Sequence, residues 1–419
     1  MGFRQKVRHF GSRAVLLLSV IGPGIITANV DNDAGGITTY SMAGAHFGYQ
    51  LLWIMPLVAL ALILVQEMSA RLGVVTGKGL ADLIRESLGV KLTTVVLGLL
   101  IVANLANTVS EFAGVAASME IFGVSKYVSV PVAALLVWLL IVKGNYKVVE
   151  RVFLAASVIY LTYVVAGFLE KPDWGAIGAA TVTPTFRFES GFVTMAITIV
   201  GTTIAPWMQF YQQSSIADKG LKPSDYAFER VDVIIGSLVA ILVAVFITIA
   251  CATTLHRGGI RIETAGDAAL ALRSLAGPYA ATLFAVGLLN ASLFSAAILP
   301  LSTAYVVCEA FGWESGVSRT VRQAPVFFGI YTALIAVGAA VILLPIRSLV
   351  ATMMASQTLN GVLLPVILIV MLRLVNDRDL LGDRFVNGRL MNALSWTVVA
   401  ALIVLTAIMV GTSFLGWHG

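Results

Sequence analysis

Charge is scarce in this chain. Only 12% of its 419 residues are Asp, Glu, Lys or Arg, about half the share carried by a soluble domain, which excludes a fold with a broad hydrated surface. Cysteine is nearly absent: Cys251 and Cys308 fall in apolar stretches without metal or redox spacing, so they read as inert buried thiols and exclude a disulfide framework or a zinc ribbon. The four histidines, His9, His46, His256 and His418, lie near the ends of apolar stretches or in the tails. No imidazole is therefore placed to bind a metal or relay protons at mid-membrane. Long polar stretches are missing too. The longest segments between apolar runs, near 171–192 and 255–278, are too short for a soluble domain, so no separate catalytic module is expected. Thr76-Gly-Lys-Gly79 is no phosphate loop, because Leu72 stands where the first glycine is needed and no Ser or Thr follows Lys78.

What remains is apolar. Hydrophobic residues make up 58% of the chain and mean hydropathy is +0.93. Runs near the ~20 residues needed to cross a bilayer fall at about 14–44, 48–70, 92–122, 129–144, 152–170, 193–215, 231–254, 279–309, 326–345, 348–372 and 391–415. The sequence predicts an all-α integral membrane protein of eleven spans forming a single transmembrane domain over 1–419. The basic start and the run from Ala14 resemble a signal peptide, but the run continues without a small-residue cleavage pattern, so it reads as the first span. With the N-terminus inside, all but seven (Lys126, Lys171, Arg187, Arg257, Arg261, Arg273, Arg347) of the 27 Lys and Arg residues fall on the cytoplasmic side. The expected location is the plasma membrane, with a cytoplasmic N-terminus and an extracellular C-terminus. The net charge of +5 then belongs to loops facing anionic lipid, and no nucleic-acid partner, obligate protein partner or cofactor is implied.

Against this background two acids stand out. Asp31 and Asp33 lie inside the first apolar run, in Gly22-Pro-Gly-Ile-Ile-Thr-Ala-Asn-Val-Asp-Asn-Asp-Ala-Gly-Gly36. A carboxylate at bilayer depth costs about 2.5–3.5 kcal/mol on insertion scales and normally faces a substrate or ion path. No Lys or Arg lies at the centre of any span to neutralise them. Ala34, Gly35 and Gly36 weaken the helix just beyond, which predicts a broken span with an acidic centre. A second break is predicted at Gly201-Thr-Thr-Ile-Ala-Pro-Trp207, because Pro206 has no N–H for the helix ladder. It falls in the sixth span, five after the first, as in an inverted-repeat transporter whose site lies at the midplane. The repeats would be about 14–170 and 193–372, with 391–415 as an extra helix. In the third span Glu111, with Asn104, Asn107, Thr108 and Ser110, marks a polar stripe that reads either as part of a pathway or as internal hydrogen bonding. Glu67, near a span end, reads as a charge paired with a loop.

These residues resemble a known family. Gly22-Pro-Gly24, Asp33-Ala-Gly-Gly36, Gln66-Glu-Met-Ser-Ala-Arg-Leu-Gly-Val-Val-Thr-Gly-Lys78, Gly144-Asn-Tyr-Lys-Val-Val-Glu-Arg151 and Gly201 to Pro206 are similar to the NRAMP divalent-metal transporters over essentially the whole chain. The resemblance implies a LeuT-type fold, an inverted 5+5 repeat with spans 1 and 6 broken, and alternating access. The family's site uses an Asp-Pro-Gly-Asn tetrad, a carbonyl and a Met from an Ala-Thr-Val-Met-Pro-His stretch, and often a Gln in span 10. The Asp, Gly and Gln carry over to Asp33, Gly35 and Gln357. The family's Pro and Asn become Ala34 and Gly36, its Met becomes Ala205, and its His becomes Trp207. These departures resemble the prokaryotic NRAMP-related magnesium transporters.

Chemistry points the same way, since a thioether favours transition metals and Ala205 removes it. Mg²⁺ is held by hard oxygen with several waters retained, and the small side chains at Gly36 and Ala205 are expected to leave room for them. The expectation is therefore import of Mg²⁺, with Mn²⁺ tolerated. The expected metal-binding residues are Asp33, Asp31, Gly36, Thr203, Ala205 and Gln357, with Glu111, Thr108 and Trp207 along the pathway. The proton-coupled relatives carry an acid where this chain has Thr108 and a His where it has Trp207, so transport is expected to be uncoupled from protons. The alternatives are a proton-coupled Mn²⁺ or Fe²⁺ transporter of the NRAMP type and, more remotely, a sodium-coupled amino-acid symporter, whose substrate carboxylate two aspartates would repel. An intramembrane aspartyl hydrolase would need acids from separate spans converging on one water, and that pattern is missing.

Overall fold

The computed structural model describes residues 30–143 and 157–414. The expected start of the first span, residues 144–156 with the Gly144–Arg151 run, and both His9 and His418 lie outside them. The described residues form helices and turns only. The helices are α1 (Ala34–Phe47), α2 (Ile54–Thr76), α3 (Leu80–Leu88), α4 (Val90–Ile121), α5 (Lys126–Val142), α6 (Leu161–Leu169), α7 (Trp174–Val182), α8 (Ser190–Thr203), α9 (Pro206–Lys219), α10 (Tyr226–Cys251), α11 (Ala280–Phe311), α12 (Pro325–Leu343), α13 (Leu349–Val375), α14 (Arg378–Phe385) and α15 (Arg389–Phe414). Among the described residues eight helices are long and apolar enough to cross a membrane, with α8 and α9 taken as one, and two shorter apolar helices occupy Lys126–Val142 and Val158–Leu169. With α1 as the second half of the first span, these are the eleven expected spans.

Both predicted breaks are present. The first span's helix stops at Asp31, turns through Asn32 and Asp33, and restarts at Ala34. The sixth stops at Thr203, passes Ile204 (φ −125°, ψ 59°) and the extended Ala205 (φ −67°, ψ 140°), and restarts with Pro206 in the first helical position, where a missing N–H costs nothing. One boundary differs from expectation. The second span begins at Ile54 and runs to Thr76, not 48–70. Gly48, at φ 58°, closes α1, and successive turns (Gln50 N to Phe47 O, Leu52 N to Tyr49 O, both 3.1 Å) carry the apolar residues 48–53. At its far end the polar Gln66, Glu67, Ser69 and Arg71 stay helical and buried. Glu67 pairs with Arg71 at 3.3 Å and accepts from the Tyr226 hydroxyl, while Arg71 donates to Phe385 O at 2.9 Å and to Asn387. Glu67 is thus a pairing charge, but its partners are Arg71 of its own helix and Tyr226 at the start of α10, not a loop.

The central helix is α4, which packs most extensively against α11 and α13. α8 crosses α13 in close contact: a Cβ at Gly201 would lie 2.2 Å from Gln357 O, and one at Gly361 would lie 2.5 Å from Ile197 O. α1 is enclosed by α10, α8, α13 and α4, and this cage holds the first break at the centre of the bundle.

Candidate metal site

The site is built on the two interrupted spans. Restarting a helix at Ala34 exposes N–H groups that have no partner one turn back, and acidic side chains take them. Asp33 is the N-cap, its Oδ1 accepting from Gly36 N at 2.6 Å. Glu111, reaching across from α4, accepts from Ala34 N at 3.3 Å through Oε2. The positive end of a half-helix favours both carboxyls there, which explains how the acids stay at this depth without cations. Among the described residues none of Asp31, Asp33 and Glu111 has an ion-pair partner.

Glycine brings the neighbours in. A Cβ at Gly35 would fall 1.9 Å from Gln357 Nε2, so the glutamine lies directly on that backbone, with its Oε1 accepting from Asn360 Nδ2 at 2.9 Å and Nε2 buried without a hydrogen-bond partner. A Cβ at Gly36 would fall 2.6 Å from the Asp31 carbonyl oxygen and 3.4 Å from both Asp33 Oδ1 and Thr202 Oγ1. The space expected beside Gly36 is therefore filled by oxygen atoms in this conformation. In the sixth span the Thr202 carbonyl lies four residues before Pro206, which has no N–H to give it. The Ala205 carbonyl, by contrast, accepts from Met208 N at 3.1 Å, and the Gln209 amide donates to it at 3.0 Å and to Pro206 O at 2.7 Å.

Asp31, Asp33, Gly36 and Gln357 come together as expected, with Thr203 and Ala205 in the facing break. The Thr203 hydroxyl itself is committed to Ile199 O and to the Tyr40 hydroxyl, both at 2.7 Å, so Thr203 has only its carbonyl to offer. Glu111 joins the site. Thr108 does not: its hydroxyl bonds back to Asn104 O at 2.7 Å and its methyl faces α12, 2.8 Å from where a Cβ at Gly338 would sit. Trp207 follows Pro206 in the first turn of α9, its ring 6.1 Å from that of Tyr211. Every one of these side chains is buried, Asp33 being the most exposed at 4%. Thr202, Tyr40, Asn107 and Asn360 are structural parts of the site that went unassigned in the sequence reading. Asn107 was visible, since Asn104, Asn107 and Glu111 follow helical 3- and 4-residue spacing, whereas Thr202, beside Thr203, and Asn360, one turn after Gln357, were passed over for those neighbours.

Chemically the site offers oxygen. Among the described residues no three His, Cys, Asp or Glu side chains converge to hold a metal by themselves, and Asp31 Oδ1, Thr202 Oγ1 and Glu111 Oε1 are buried without a hydrogen-bond partner. The thioethers of Met353 and Met354, on α13 one turn before Gln357, are taken up by the Thr38 and Thr39 hydroxyls at 3.5 and 3.6 Å.

A helical bundle with its first and sixth spans unwound around buried acids is the architecture of an inverted-repeat secondary transporter of LeuT-type fold. Comparison with known proteins makes the assignment narrower. Residues 24–412 match the family described as "Natural resistance-associated macrophage protein-like", and the chain belongs to this Nramp family, whose members are transporters and not enzymes. It is 26% identical over 410 residues to the divalent metal cation transporter MntH of Granulibacter bethesdensis, covering 94% of this chain and 88% of that protein. The crystal structure of the Eremococcus coleocola manganese transporter, in complex with an aromatic bis-isothiourea substituted compound, superposes with a TM-score of 0.76 at 24% identity, covering 94% of this chain and 86% of that one. Mhp1, a nucleobase-cation-symport-1 family transporter in a closed conformation, gives 0.59 at 14% identity, with 93% and 90% covered.

Proposed function

We propose that this protein carries Mg²⁺, and also Mn²⁺, across the plasma membrane into the cytoplasm by alternating access, without proton coupling. The observation that carries this reading is the donor set: Asp33, Asp31 and Glu111 with hydroxyl and carbonyl oxygens, and neither a thioether nor an imidazole at Ala205 and Trp207. Hard, reluctantly dehydrated cations suit such a site, which would bind through one or two carboxylates with waters retained. Asp33 is the principal anchor in this reading, and Asp31, the carbonyls of Thr202 and Thr203, and Gln357 assist. The bilayer is the only further partner the reading requires. Entry of a divalent ion gains about 2.3 kcal/mol per charge per 100 mV from an inside-negative potential, so a gradient and a potential suffice as driving forces.

A second reading, proton-coupled transport of Mn²⁺ or another transition metal, is favoured by the relatives, whose names give manganese or divalent metal cations as cargo. Uptake into proteoliposomes separates the two. The first reading expects saturable Mg²⁺ entry that Mn²⁺ inhibits. Mn²⁺ entry that Mg²⁺ neither accompanies nor inhibits would establish the second.

A further inference from the structure

Among the described residues, Tyr40 makes the one side-chain hydrogen bond that joins α1 to α8. Its hydroxyl lies 2.7 Å from Thr203 Oγ1, which in turn lies 2.7 Å from Ile199 O. A carbonyl only accepts and a hydroxyl has a single hydrogen, so Thr203 gives its hydrogen to Ile199 O and Tyr40 donates to Thr203. Tyr40 and Thr203 are both fully buried, and bulk water does not compete for the bond.

The bond sits where the two breaks face each other. Tyr40 is one helical turn beyond Gly36 and so on the same side of α1, while Thr203 is the last residue of α8 before Ile204 leaves the helix. Toward the break, Gly36 packs on Thr202, where a Cβ would come within 3.4 Å of the Thr202 hydroxyl oxygen. Further along, Gly44 brings α1 onto the α10 backbone, a Cβ there falling 2.3 Å from Thr248 O, which fixes α1 from a second side. The separation of the first turn of α1 from the last turn of α8, and with it the gap between the acids of one break and the carbonyls of the other, is therefore set by one close contact and one hydrogen bond.

We propose that Tyr40 is a positioning residue that disfavours Ca²⁺ by tying the two half-helices at a fixed separation. The proposal rests on the reading that the ion is held between the two breaks. Oxygen ligands stand about 2.0–2.1 Å from Mg²⁺ and about 2.3–2.6 Å from Ca²⁺, and Ca²⁺ takes more of them in looser geometry. A site whose two walls can spread accommodates the larger ion, and one tied across its width does not. Tyr40 acts here through Thr203 and α8, without touching the ion.

Mg²⁺ uptake into proteoliposomes with Ca²⁺ as competitor tests this. Tyr40→Phe removes the hydroxyl and keeps the ring, and it should lower the ratio of the Ca²⁺ inhibition constant to the Mg²⁺ KM by about three- to tenfold, the range that one hydrogen bond spans. Thr203→Val removes the acceptor at nearly the same shape and should lower the ratio likewise, whereas Thr203→Ser keeps the hydroxyl and should lower it less. In the Thr203→Val background, Tyr40→Phe should add nothing. A Tyr40 that only packs would cost maximal rate or melting temperature at a fixed ratio, or would shift the ratio equally with and without the Thr203 hydroxyl, and either result overturns the proposal. Should Tyr40→Phe fold poorly, the two Thr203 variants decide, and equal ratios in Val and Ser would overturn it. Calorimetric titration of Asp33→Ala with Mn²⁺ separates the two levels. Unaltered binding would place the ion elsewhere and refute the underlying reading, while lost binding alongside an unchanged ratio in Tyr40→Phe would refute the tie between the half-helices alone.

Discussion

Asp33 serves structure and chemistry through the same carboxyl: one oxygen caps α1 on Gly36 N at 2.6 Å, and a carboxylate has acceptor capacity beyond that one bond. Removing it should therefore cost both a cap, typically about 1 kcal/mol, and the main charge facing the ion. Asp33→Ala is expected to reduce Mg²⁺ uptake more than about tenfold, since a charge-assisted contact outweighs 1.4 kcal/mol. Asn is a good N-cap, so Asp33→Asn should keep the fold while losing transport to a similar extent, and thermal unfolding in detergent beside flux assays would separate the two effects. Asp31→Ala should slow uptake less, because among the described residues Asp31 caps no helix and its Oδ1 has no hydrogen-bond partner. Equal losses in the two alanine variants would contradict this ranking. At this scale the acids were legible because charge inside an apolar run is conspicuous. Thr202 and Asn360 were not, since a Thr or Asn in a membrane helix looks the same in sequence whether it back-bonds to its own turn, as Thr108 does at 2.7 Å, or reaches a neighbouring helix.

The two breaks place the site, and small residues bring the helices around them together. Gly201 and Gly361 let α8 and α13 cross with backbones in contact, which is how membrane helices pack in the absence of a hydrophobic drive between them. Gly361→Val would push against Ile197 O, and overpacking of this kind costs about 1–3 kcal/mol. The expected outcome is a lower melting temperature together with lost uptake, because Gln357 sits one turn away on α13. Ala205→Met tests the donor set more gently than any change at Gly36, where even a Cβ would meet the Asp31 carbonyl at 2.6 Å. It should shift preference from Mg²⁺ toward Mn²⁺ or Cd²⁺ in competition assays, and unchanged competition would argue against Ala205 facing the ion. Both breaks could be read from glycine and proline chemistry. The start of α2 could not, because hydropathy scores residues 48–53 as membrane whether they are helix or tight turns, and the polar end of α2 is held by partners distant in sequence, Tyr226 and Asn387.

Across the whole molecule, the charge bias of the loops and the five-span offset between the breaks were enough to suggest an inverted-repeat carrier, and the family assignment agrees with that architecture. What needed the structure was the way α4 links the two halves, with Asn107 tied to α13, Asn104 tied to Thr303 of α11 at 2.8 Å, and Glu111 tied to α1 at 3.3 Å. The absence of an acid at Thr108 and of a histidine at Trp207 leaves Glu111 without a second titrating partner along α4 or α9 at those positions. The account's central claim, a hard-oxygen site that passes Mg²⁺ without protons, is tested most directly by loading proteoliposomes with a Mg²⁺-sensitive and a pH-sensitive dye and imposing a Mg²⁺ gradient with the potential clamped at zero. The prediction is Mg²⁺ entry at constant internal pH, abolished by Asp33→Ala. Acidification that tracks Mg²⁺ entry under that clamp, or entry that survives Asp33→Ala, would contradict it.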